Sequence, residues 1–125
     1  MDTVDIFVII CAALAALTKI IDVVTTIKYV GVHAEVNPIG RWLFNRVGCT
    51  AGCWLTFVFE VIVIGGVAYG IVLNDSVVEK VLCMLICLFF AGTHISAGVY
   101  NTTHRSTPFI RMMIRFYRRL GSKWF

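Results

Sequence analysis

Charge is scarce in this sequence: of 125 residues only 14% are Asp, Glu, Lys or Arg, and only seven are acidic. A soluble domain carries about 25% charged residues, so the deficit excludes a compact water-soluble enzyme. Proline occurs only twice, at Pro38 and Pro108. No acid follows residue 100, whereas residues 101–125 hold six Lys or Arg. No nucleophile motif or cofactor fingerprint stands out. What fills the chain instead is apolar: 59% of residues are hydrophobic and the mean hydropathy is +0.88. These values describe a membrane protein. A spanning helix needs about 20 apolar residues, which leaves room for a few spans and none for a large catalytic domain.

The apolar runs predict an all-α membrane protein with three transmembrane helices, at about residues 4–30, 50–73 and 77–101. The leader Met1-Asp2-Thr3-Val4-Asp5 is acidic and lacks the basic region of a signal peptide, so the first span is expected to be retained. Gly31 suits a helix end, and Asn37-Pro38 breaks continuation. Residues 39–48, with Arg41, Trp42 and Arg46, suit the headgroup level. Asn74-Asp75-Ser76 is a turn of capping residues. Basic residues flank the first loop and the tail, so the positive-inside rule puts the N-terminus outside and the tail in the cytoplasm.

Residues 1–103 are thus expected to form the transmembrane domain and residues 104–125 a cytoplasmic tail. Ser106 or Thr107 can cap a tail helix opened by Pro108, with Gly121 as its stop. Its basic face, Arg111, Arg115, Arg118 and Arg119, opposes Phe109, Met112, Met113, Phe116 and Leu120. A basic amphipathic helix of this kind suits anionic lipid headgroups at the interface, with nucleic acid not expected as a partner.

Ionisable groups inside a span cost roughly 2.5–3.5 kcal/mol each and usually face the bundle interior. On the first span Thr18, Lys19, Asp22, Thr25, Thr26 and Tyr29 fall within about 120° of arc. On the third, Cys83, Cys87, Phe90, His94, Gly98 and Asn101 fall within about 80°. These helices run in the same direction, and Asp22 and His94 lie at similar depth, roughly 10–12 Å from the inner ends. Glu60 on the antiparallel second span is level with Lys19. The expected result is a buried cluster of Lys19, Asp22, Glu60 and His94, lined by Thr18, Thr25, Thr26 and Thr56, with a cytoplasmic mouth beside Glu35, Asn37, Pro38 and Asn101.

Such a cluster either holds three helices in register or forms a proton-active or ligand-binding site, since His94 beside a carboxylate can titrate near physiological pH. Cys83, Cys87 and His94 share a face, but Cys87 and His94 lie about 10 Å apart along the axis, too far for one tetrahedral ion. No metal, cofactor or catalytic residue is therefore assigned. The five cysteines read as small packing residues rather than a disulfide framework. Gly48-x-x-x-Gly52 and Gly66-x-x-x-Gly70 are signals of close helix approach.

The pattern Asp22-x-x-Thr25-Thr26, then Glu35-x-Asn37-Pro38, then Asn101 resembles a family of small multi-span prokaryotic membrane proteins without an assigned activity. The resemblance covers about residues 15–101 and implies the multi-span fold and the importance of those motif residues, but no reaction. Three-span phage holins are similar in size and topology alone. The expected function is a non-enzymatic subunit or assembly partner of a membrane complex or homo-oligomer. The alternatives are a proton-coupled transporter or small-ligand binder using the Asp/Glu/His cluster, and a holin-like pore.

Overall fold

The computed structural model describes residues 1–31, Glu35 and residues 37–124. Five helices account for almost all of them: α1 (Thr3–Tyr29), α2 (Pro38–Val47), α3 (Cys49–Val72), α4 (Val77–Thr103) and α5 (Pro108–Trp124). The long helices α1, α3 and α4 are each apolar and long enough to cross a membrane. At 27 residues, α1 and α4 run about 40 Å, longer than a hydrocarbon core of about 30 Å. Their ends therefore reach the headgroup layers. Helix α3 is apolar on every side and buries only Gly52, Cys53 and Ala68, as a span bathed in lipid does.

The ends are set by local chemistry. Asp2 and Asp5 form a reciprocal capping box, each carboxylate accepting the other's backbone N–H at 2.7 and 2.8 Å. Ser76 caps α4 by accepting from Glu79 N–H, and Asn74 Nδ2 donates to Glu79 Oε2 at 2.6 Å. Thr107, not Ser106, caps α5, its Oγ1 accepting from Ile110 N–H at 3.2 Å with Pro108 in the first position. Between α2 and α3 stands one residue, Gly48, at φ +87°. Only glycine takes that conformation without strain, and it makes α2 a separate helix from α3. The turn expected over residues 31–38 lies partly outside the described residues.

Helices α1 and α4 are the principal pair. The buried face of α4 reads Lys80, Cys83, Cys87, Ala91, His94, Gly98 and Asn101, a three-and-four spacing that keeps one stripe on a neighbouring helix. Val8 and Ala15 of α1 pack there with Cys83, Cys87 and Ala68 of α3. The buried cysteines are free thiols filling small spaces. At the α2 end a second apolar group joins Val23, Phe44 and Cys53.

Two expectations about the tail and the glycines change. Helix α5 continues through Gly121 to Trp124, and Gly121 lies beside Pro38, where a Cβ would meet the proline ring at an ordinary 3.7 Å. Of the two glycine pairs, Gly52 sits under Phe44 in close contact, whereas Gly66 and Gly70 have nothing within 4 Å of a Cβ position. The second pair faces outward.

At Gly98 α4 packs tightly on α1: a Cβ there would lie 2.7 Å from Ile21 Cγ2. Gly98→Ala should therefore destabilise by about 1–3 kcal/mol, read as denaturant unfolding in mixed micelles. Adding Ile21→Ala, which removes the opposing methyl, should recover most of that loss. No recovery in the double variant would refute this packing.

A candidate binding cavity walled by an intramembrane ionic cluster

The polar residues of α1 are organised from α4. Asn101 is buried, and its Nδ2 donates to both Thr25 Oγ1 and Thr26 Oγ1, each at 3.1 Å. Each hydroxyl passes its own proton on, Thr25 to the Ile21 carbonyl at 2.8 Å and Thr26 to Asp22 Oδ1 at 3.3 Å. Two adjacent threonines are needed because the two amide protons of one asparagine then find separate acceptors.

Asp22 is the centre of the next layer. Lys19 Nζ lies 2.8 Å from Asp22 Oδ2 and 3.7 Å from Glu60 Oε2. His94 Nε2 lies 2.6 Å from Glu60 Oε1, and its Nδ1 lies 3.7 Å from Asp22 Oδ2. The structure thus brings Lys19, Asp22, Glu60 and His94 together from α1, α3 and α4. Their formal charges sum to zero with the imidazole protonated and to −1 with it neutral. Phe90 is not part of the α1–α4 seam; its ring stacks against His94 with centroids 6.3 Å apart and planes 21° apart. Thr18 is also apart from the cluster, because its hydroxyl is satisfied by the carbonyls of Leu14 and Ala15. Thr56 and Thr26 do line the site.

Beside the cluster is a cavity of about 530 Å³, within the size range of small-molecule sites. Lys19, Asp22, Glu60 and His94 form part of its wall. Val23, Phe44 and Cys53 make an apolar floor, and Glu35, Asn37 and Asn101 stand at the α2 end. Glu35 Oε1 accepts the Asn37 N–H at 2.8 Å, while Asn37 Oδ1 caps α2 through Ile39 N–H at 3.1 Å. Pro38 occupies the first position of α2, where its missing N–H costs nothing. Gly40 gives the Glu35 side chain its space, since a Cβ there would stand 3.4 Å from Glu35 Cγ. Burial raises the Glu35 carboxyl above the usual carboxylate range, against the opposing Asn37 hydrogen bond.

Helix α5 stands at the α2 end of the cavity. Ile110, Met113, Ile114 and Tyr117 of α5 line the cavity there, while Met112 and Phe116 remain exposed. The apolar face expected on this helix is therefore divided. Spacings of three and four residues put Ile110, Met113, Ile114 and Tyr117 along one strip, turned onto the bundle. Phe109 meets Phe89 of α4 edge-on at 5.8 Å, and Arg111, Arg115, Arg118 and Arg119 all stay exposed. Burial pushes the Tyr117 phenol up, so it keeps its proton as a donor. On the side between α3 and α4, Phe59 and Val63 line the cavity yet are 70% and 45% exposed. One opening lies there, and Tyr29 and His104, also exposed, line the cavity at the α2 end.

A second ionic group stands at the opposite ends of α1 and α4. Lys80 Nζ lies 2.6 Å from Asp5 Oδ1 and 3.6 Å from Asp2 Oδ2, with the lysine side chain only 4% exposed. This pairing is not among the expectations from sequence; the available signal is depth, because Asp5 and Lys80 each lie within the first turn of parallel helices.

Removing one partner of a desolvated ion pair strands the other, whereas removing both need not. Lys19→Met and Asp22→Leu should each cost about 3 kcal/mol, while the double variant should be more stable than either. Denaturant unfolding of all four proteins completes the cycle, and an additive double variant would rule out the coupling.

No protein-family model, curated protein or solved structure matches this chain, so the likeness carried by Asp22, Thr25, Thr26, Glu35, Asn37 and Pro38 stays a likeness of motifs.

Proposed function

We propose that this integral membrane protein binds a small ligand taken from the bilayer, with the Lys19, Asp22, Glu60 and His94 cluster as the proton-active wall of its site. One observation carries the reading: the cluster borders a cavity of about 530 Å³ instead of being sealed within a helix seam. His94 between two carboxylates offers a protonation change coupled to occupancy, as a proton-linked carrier requires. The α2 and α5 end is cytoplasmic in this reading, by the excess of basic residues there. Arg111, Arg115, Arg118 and Arg119 then lie on anionic headgroups.

A neutral apolar fluorophore, N-phenyl-1-naphthylamine, tests the cavity. Fluorescence enhancement by the purified protein should be saturable, and Ala97→Phe, which adds a ring to the cavity wall, should weaken it at least fivefold. Equal binding by both proteins would sink the reading.

A second reading, as a subunit or self-assembling partner, is supported by the open glycine face of α3 at Gly65, Gly66 and Gly70. It predicts a stoichiometric complex by native mass measurement in mild detergent. A lone monomer would rule it out.

A further inference from the structure

Resting on the reading of this cavity as a ligand site, we propose that its ligand is an amphiphilic organic cation, admitted between α3 and α4 and held at its positive centre by Glu35. Charge selects the sign. Asp22 and Glu60 already face Lys19 and His94, so these four groups answer one another. Glu35 is a third carboxylate on the same wall, and among the described residues no cation lies within 4 Å of it. With those four groups paired, an anion entering here would meet the carboxylate of Glu35, with His104 the remaining imidazole among the described lining residues. A cation would complete the balance.

The rest of the lining suits the body of such a molecule. Tyr29, Phe44, Phe59, Phe90, Tyr100 and Tyr117 contribute rings to the wall, and aromatic faces attract cations while also covering apolar groups. Glu35 stands at the α2 end and the opening is flanked by Phe59 and Val63, deeper along α3. A cationic head near the interface with an apolar portion extending into the bilayer fits that layout.

The same placement makes binding depend on pH. Glu35 is held above the ordinary carboxylate range chiefly by burial, and a proton there competes with the cation. The groups that set its field are Lys19 and Asp22 of α1, Arg41 of α2 and Tyr117 of α5; Glu60 and His94 lie deeper along the cavity, and His104, the cap of α4, stands at the same end as Glu35. Cation affinity should therefore fall as pH is lowered through the Glu35 titration.

Tetraphenylphosphonium and tetraphenylborate have the same shape and opposite charge, so each is measured separately, as a radiolabelled probe on bead-captured protein in nonionic detergent. At pH 8 the cation should bind at least tenfold more tightly than the anion, and Glu35→Gln should weaken the cation at least tenfold. That variant should keep the wild-type unfolding midpoint in mixed micelles, which shows that it folds; if it does not, Glu35→Asp serves, with partial loss expected. The affinity loss between pH 8 and pH 5 should be smaller in Glu35→Gln than in the wild type. Equal binding of both ions, or cation binding unchanged by Glu35→Gln, overturns the cation assignment and, where the wild type still binds the neutral probe, leaves the cavity reading standing. Neutral-probe binding that ignores Ala97→Phe overturns the cavity reading itself.

Discussion

The rest of this structure depends on the carboxylate of Asp22. A charge at that depth cannot be left to lipid, and its surroundings are the sum of what three helices bring to it. Lys19 reaches it from one turn earlier on α1 at 2.8 Å, Thr26 from one turn later at 3.3 Å, and His94 from α4 at 3.7 Å. Through Lys19 and His94 it is linked to Glu60, which ties in α3. One carboxylate thus orders side chains on every spanning helix, and Asn101 continues the same chain of contacts through Thr26.

The α1–α4 pair and the α3 helix play different parts because polar contacts are unevenly shared. Lys80 with Asp5, Gly98 against Ile21, and Asn101 with the threonines all join α1 to α4. For α3, the polar side-chain ties to other helices reduce to Glu60 among the described residues. Near that one tie the α3–α4 side leaves room for a cavity, and α2 and α5 line its end with Phe44, Ile110, Ile114 and Tyr117.

Much of this was readable beforehand. Span number followed from the length of the apolar runs, and the polar arc from Lys19 to Tyr29 was visible as a helical period. Asp22 and His94 could be paired because parallel helices with known ends make depth a matter of counting residues at 1.5 Å each. The same counting applied to Asp5 and Lys80, whose pairing was overlooked because both sit where a charge needs no partner. The path of α5 was harder. Its arginines and apolar residues form two obvious faces, but the strip that packs, Ile110, Met113, Ile114 and Tyr117, is chosen by what lies opposite it.

By itself, then, the amino-acid order determined three spans, their caps, the breaks at Gly48 and Asn37-Pro38, and which polar residues share a helix face. These are consequences of local periodicity and backbone chemistry, which act within a few residues. Only the tertiary structure decided that the ionic cluster borders open space, that α5 folds over the cavity's end, and that Glu35 stands on the same wall as Glu60. Those facts depend on the separation of helices far apart in sequence, which is set by the bulk of side chains such as Ile21 and Phe44 meeting glycine across an interface. No periodicity along one chain segment encodes that distance.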